Sequence, residues 1–224
     1  MVFAHDTEVA LAAAAALVNT APGGDDPEEL ATVADLDAFV TSWGWSGRHC
    51  RSAEELTAVR ALRPRLRRIW EVDEDEVVQI VNGLLREFRA LPQLVKHDGW
   101  DYHLHATDQD APLPDRMAVE AAMAMVDVVR GGELARLRIC QAPDCRDVVV
   151  DLSKNRSRRF CESGCGNRMA AAAYRARRGG PTDDAERPRV AGPPGQPAPA
   201  PSGGGRSTVA MSVPASQASN SSSE

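Results

Sequence analysis

Four cysteines crowd one stretch of the chain: Cys140 and Cys145 enclose four residues, and fifteen residues later Cys161 and Cys165 enclose three. Two short-spaced pairs of thiolates are how a short segment closes a tetrahedron of sulfur around one zinc ion, with Zn–S bonds of about 2.3 Å. The chemistry expected is structural, because four sulfur ligands leave the ion no open position for water or substrate. Two disulfides, or four reactive thiols, are the competing assignment, and a reducing cytoplasm disfavours both. Cys50 stands apart beside His49 with no partner at catalytic spacing. No enzyme is expected.

The same stretch is strongly basic. Between Arg136 and Arg178 there are eleven Arg or Lys against four Asp or Glu, a formal +7, whereas residues 1–135 hold twelve against twenty-four, a formal −12. Ten of those eleven are arginine, whose planar fork binds phosphate bidentately and can reach guanine edges. A basic module seeks polyanions, and an acidic neighbour restrains non-specific adhesion. The candidate nucleic-acid contacts are Arg156, Arg158, Arg159, Asn167, Arg168, Arg175, Arg177 and Arg178, with DNA the first partner expected. A merely solvated charged face is the plainer alternative.

The elements that must position these groups follow from spacing. Val148, Val149, Val150 and Leu152 read as a strand, Ser153 to Asn155 as a turn and Arg158 to Phe160 as the return strand. The alanine-rich run from Met169 to Arg178 reads as a helix. The second cysteine pair then lies at or just before a helix start, where the macrodipole favours thiolates. This is a treble-clef-like arrangement, and a segment of about forty residues so poor in apolar mass needs the metal to fold.

Upstream, the pattern is mainly helical. Asp6 or Thr7 opens an alanine-rich helix running to Asn19. Asp26 before Pro27 signals a second, carrying Leu36, Phe39, Val40 and Trp43 to a stop at Gly44. Ser52 with Glu55 forms a capping-box pattern before Leu56, Val59, Leu62, Leu66, Ile69 and Trp70, with a kink or interruption expected near Pro64. A further helix follows Asp73, with Val77, Ile80, Val81, Leu84, Leu85 and Phe88 on one side. Over 93–107 the period falls towards two, with His97, Asp98 and Gly99 at the turn of a hairpin. Pro114 and Asp115 open the last long helix, which Gly131 and Gly132 end.

The fold class expected is therefore mainly α with a small β-hairpin, in three parts: a helical domain over 1–134, serving as sensor or for dimerisation; a basic zinc finger over 135–178; and a tail over 179–224. The tail, rich in Pro, Gly, Ser and Ala, cannot bury enough apolar surface to offset its ordering entropy and reads as disordered. No run of eighteen apolar residues is present, and Asp6 and Glu8 sit where a signal peptide needs positive charge, so a cytoplasmic protein without a membrane partner is expected.

His103 and His105 share a face of a strand near His97, and read as a histidine pair ahead of a second metal site. Asn19 and Thr20 read as a helix C-terminal cap ahead of a pocket for a small effector. Trp43, Trp45 and Trp100 read as core.

At Cys165, Gly166, Asn167 and Arg168 the chain resembles the CGNR zinc finger family of bacterial proteins, in which the finger follows a helical ABATE domain and which is described as stress-induced transcription regulators. The matching pieces are Leu17 to Thr20, Ala34 to Leu36, Cys140 with Cys145, Val150 to Ser153 and Tyr174 to Arg178. The resemblance implies that Cys140, Cys145, Cys161 and Cys165 ligate a single structural zinc ion. Phe160 and Met169 depart from the family pattern, which often has a larger aromatic at the first and lysine at the second. The function expected is a zinc-dependent DNA-binding transcription regulator. The alternatives are a zinc-stabilised protein-interaction module, meeting RNA polymerase or another acidic protein, and a thiol redox sensor. A small-molecule effector of the helical domain and a homodimer both fit the reading.

Overall fold

The computed structural model describes residues 2–23, 27–96 and 102–178. The expected turn at His97 to Gly99, Trp100, the Asp26 helix start and the tail from residue 179 lie outside them.

Five helices make the body. They are α1 (His5–Asn19), α2 (Val33–Ser42), α3 (Ala53–Arg67), α4 (Glu74–Glu87) and α5 (Leu113–Arg130). Helix α5 is central and packs against α1, α3 and α4. Its small and flexible residues, among them Ala118, Ala121, Ala122, Met117 and Met125, are buried on several sides, which lets three helices approach it closely. Arg116 is buried with them because its guanidinium donates to the carbonyls of Ser46, Arg48 and Ala111.

Side-chain caps at Thr32, Ser52 and Asp73 set the starts of α2, α3 and α4, whereas α1 begins at His5, ahead of the expected Asp6 or Thr7, with no side-chain cap at Ala4. Asp73 accepts the Glu76 N–H at 3.0 Å, and Glu74, Asp75 and Glu76 sit against the positive end of the α4 dipole. Helix α2 begins at Val33 rather than after Asp26. Thr32 and Asp35 form a reciprocal capping box there, while Glu28 is drawn away into a bidentate pair with Arg63, both contacts 2.6 Å. Helix α3 runs through Pro64 without interruption. The Arg60 carbonyl that Pro64 leaves without its helical donor accepts Nε of Arg63 at 3.4 Å.

Two antiparallel hairpins complete the fold. The first joins β1 (Gln93–Val95) to β2 (His103–His105), with Gln93 opposite His105. The second joins β3 (Leu137–Ile139) to β4 (Val148–Val150), with Leu137 opposite Val150. Here the structure corrects the sequence-based expectation, since residues 158–160 are not a strand. The Asp151 carboxylate takes the Ser153 and Arg158 backbone N–H groups at 3.0 and 2.9 Å, which turns the chain out of the ladder after β4.

The second hairpin rests on the helical body. Val148 and Val150 belong to the same apolar cluster as α1, α3 and α5, while Val149 faces the cysteines, as the period of two requires. The Asn19 amide, at the last residue of α1, donates to the Val148 carbonyl at 2.9 Å and accepts its N–H at 2.8 Å. Asn19 thus occupies the open edge of β4 as a third strand would. Trp70 adds an indole bond to the Val149 carbonyl at 3.2 Å. Asn19→Ala should leave both Val148 groups unpartnered and cost about 1–3 kcal/mol in urea unfolding. A loss under about 0.5 kcal/mol would mean that water replaces the amide at no cost.

Candidate metal centre

The cysteines arrive at one point from three elements. Cys140 follows β3 directly, Cys145 lies within the loop between β3 and β4, Cys161 lies four residues before α6 (Cys165–Arg178), and Cys165 is the first residue of that helix. Their sulfur atoms all lie within 4.8 Å of one another. Sγ of Cys145 and Sγ of Cys161 are 3.7 Å apart, against about 3.8 Å between sulfurs at tetrahedral corners with Zn–S bonds of 2.3 Å. The donor set therefore fits one tetrahedral ion. Among the described residues it is the one cluster of His, Cys, Asp and Glu that suits a metal.

Electrostatics shape the cluster before any metal arrives. Burial pushes the Cys145 thiol up to about 12 and raises Cys161 as well, with Asp147 and Cys165 adding to the rise at Cys161. Burial opposes ionisation of Cys140 too, but the N–H donors of Ala142 and Cys161 together with the Cys145 and Cys161 thiols leave this thiol lowered. The Cys161 N–H points at Sγ of Cys140 at 3.4 Å, and Nη2 of Arg168 lies 3.4 Å from Sγ of Cys165. Donors aimed at sulfur stabilise thiolate, and a divalent cation supplies the remainder. Metal uptake must release protons.

The surrounding apolar cluster explains why the metal is needed. It consists of Cys140, Ala142, Val149 and Cys165, flanked by Cys145, Phe160, Cys161 and Met169. Half of these residues are the cysteines themselves. Helix α6 buries one side chain, that of Cys165. A helix of fourteen residues is marginal in water by itself, so its seat is the sulfur cluster.

The expected nucleic-acid residues fall into two groups. Asn167, Arg159, Arg175 and Arg177 are exposed, with no ion pair among the described residues, and Arg178 stacks on exposed Tyr174 at 5.4 Å. Arg156 pairs with Glu133 at 2.8 Å, Arg158 with Glu162 at 2.5 Å and Arg168 with Asp144 at 2.8 Å, all at the surface. Arg168 thus bridges the first cysteine loop and the start of α6. Two arginines of the basic stretch are turned inward. Arg136 is buried against Glu133 and the carbonyls of Asp151 and Ser153, and Arg138 reaches the carbonyls of Ala135 and Arg158. The motif around Asp151 is thus a structural hub, with Asp151 fully buried. An Asp flanked by apolar residues, with Ser two positions on, is the sequence signal for such a turn.

Away from the centre, His49 is held by Glu55 at 2.7 Å and Asp37 at 3.1 Å. Cys50 is exposed, 3.2 Å from Nε of Arg48. Nε2 atoms of His103 and His105 face each other at 3.0 Å. Thr20 donates to the Leu17 carbonyl as a cap does, whereas Asn19 serves the finger. Among the described residues no helix is long and apolar enough to cross a membrane.

Comparison with known families matches residues 11–132 to ABATE, described as "Putative stress-induced transcription regulator", and residues 136–178 to the CGNR zinc finger. No curated protein matches the chain. With the four thiols gathered as they are, the CGNR match identifies the cofactor as one structural zinc ion.

Proposed function

The chain belongs to the ABATE family and carries a CGNR zinc finger at its C-terminal side, and from that premise we propose that it is a cytoplasmic transcription regulator that binds DNA through the finger. Cys140, Cys145, Cys161 and Cys165 ligate the zinc. The helical part, roughly 1–134, senses or dimerises, and the segment 135–178 reads DNA. The observation that carries this is α6 itself, a helix seated by one buried cysteine with its arginines turned to solvent. On a helix Arg168, Arg175 and Arg178 fall on one side, and a single helix fits the major groove. Arg159 and Arg177 would add phosphate contacts, and Arg156 and Arg158 can exchange their surface carboxylates for phosphate at little cost.

The test is binding of the zinc-loaded protein to a pool of genomic fragments over a salt series, with and without chelator. Five or six phosphate contacts predict that log affinity falls with log salt at a slope of about −5. Chelation should abolish sequence-selective retention. Uniform, weak retention indifferent to chelator would point instead to a generic basic surface, and none at low salt to an acidic protein partner such as RNA polymerase.

The 3.7 Å between Cys145 and Cys161 favours one further reading, in which peroxide joins this zinc-bound thiolate pair as a disulfide, the two sulfurs giving up two electrons and the peroxide taking them up with two protons from solvent to form two waters. Zinc would be released. Stoichiometric zinc release at low peroxide, in step with lost DNA retention, is the expected result; a resistant centre excludes the sensor.

A further inference from the structure

The two cysteines of the second pair are tied to the first pair in different ways. The arm of Cys161 is joined to the first cysteine loop by its backbone: the Gln141 N–H donates to the Arg159 carbonyl at 2.9 Å, and the Cys161 N–H to Sγ of Cys140 at 3.4 Å. The start of α6, which carries Cys165, has no such tie. Among the described residues no backbone hydrogen bond joins residues 164–178 to residues 140–147. One side chain makes the polar connection instead. Arg168 lies about one helical turn after Cys165, so its side chain runs back over that residue. Its Nη2 stands 2.8 Å from Oδ1 of Asp144, the residue directly before Cys145, and 3.4 Å from Sγ of Cys165. Both Arg168 and Asp144 are more than half exposed, and an exposed ion pair by itself contributes little. The contact with sulfur gives this pair its consequence. Cys165 is buried, and a charged N–H aimed at a ligating thiolate draws on its negative charge and fixes its position.

We propose that Arg168 is a positioning residue of the zinc centre: its guanidinium holds the Cys165 thiolate and the start of α6 against the first cysteine loop, and so sets how slowly the centre gives up its metal. Outer partners of this kind change metal affinity by about 10–100-fold when they are removed. Nε and Nη1 of the same guanidinium make no hydrogen bond among the described residues, so a DNA phosphate can take that edge without breaking the latch. Three substitutions separate the contact from the charge. Arg168→Gln removes both bonds of the guanidinium. Asp144→Asn keeps the donor to sulfur but removes the charge that orients it. Arg175→Gln makes the same change of charge about two turns further along α6, away from the sulfurs.

The test mixes the full, zinc-loaded chain and each variant with excess 4-(2-pyridylazo)resorcinol and follows zinc transfer by absorbance, with no DNA present. Arg168→Gln is expected to lose zinc about tenfold or more faster than the native chain, Asp144→Asn at an intermediate rate, and Arg175→Gln at the native rate. Cobalt-loaded samples supply a readout that loosened packing would not move. A sulfur freed of its donor gives up charge more readily, so the sulfur-to-metal charge-transfer band should shift to longer wavelength in Arg168→Gln and stay in place in Arg175→Gln. Zinc loss from Arg168→Gln no faster than from Arg175→Gln, or an unmoved band, would overturn the proposal. If Arg168→Gln takes up less than a full equivalent of metal, Asp144→Asn decides, and a native rate of zinc loss there overturns it equally.

Discussion

Cys161→Ser is expected to yield protein without stoichiometric zinc, with α6 undocked and DNA retention lost by at least a hundredfold. Structural zinc sites contribute on the order of 10 kcal/mol or more of apparent binding free energy, which in small modules is folding free energy. Serine keeps the size of the side chain but supplies a poor ligand, so the tetrahedron loses a corner. Nothing else replaces that energy here. The cluster around the thiols contains Ala142, Val149, Phe160 and Met169 besides the cysteines, and α6 has no buried residue except Cys165. The helical body should survive, because its cluster is built mainly from α1 to α5 with Val148 and Val150 and includes none of the four cysteines. Metal analysis and amide NMR check this together. Zinc near zero, collapsed dispersion for α6 and retained dispersion for α1 to α5 are expected; full zinc with a dispersed α6 would remove Cys161 from the ligand set.

How far such results were legible beforehand differs element by element. The cysteines were legible because two tight pairs in a basic, apolar-poor stretch have few other physical uses. Helix α4 was legible because cap, acidic first turn and apolar stripe all agree, from Asp73 through Leu84. The strand that pairs with β4 was not. Leu137, Arg138 and Ile139 are too few to carry a period, whereas Arg158 to Phe160 sits symmetrically across a plausible turn. What decided the pairing was the Asp151 carboxylate, which captures the Ser153 and Arg158 N–H groups two and seven residues on, a local turn signal that the symmetric strand pattern outweighed. Asn19 was misleading for the opposite reason. An amide at a helix end looks like a local cap, and its bonds to Val148 lie 129 residues away.

Asp151→Ala is expected to be the most damaging change that leaves every cysteine in place. The side chain is fully buried, and its two oxygens accept the Ser153 N–H at 3.0 Å, the Ser153 hydroxyl at 2.5 Å and the Arg158 N–H at 2.9 Å, with Arg138 at 3.6 Å. Alanine would strand two backbone donors and a guanidinium at the step between β4 and the second cysteine pair. Stranded donors of this kind cost about 1–3 kcal/mol each and losing one partner of a buried ion pair about 3–5. Arg138 can relax towards solvent, so about 3 kcal/mol is the expected loss in urea unfolding of the zinc-loaded protein. Burial alone would raise this carboxyl, but the bonds from Ser153 and Arg158 and the charge of Arg138 together lower it. A lowered carboxyl stabilises fully at every pH above the unfolded value of about 3.9 and ceases to do so only as pH falls towards the folded one. The difference in stability between the native chain and Asp151→Ala should therefore hold constant from pH 8 down to the pH at which both release zinc. A difference that shrinks between pH 7 and 6 would mean the carboxyl titrates in that range, and the three donors would not then be holding its charge.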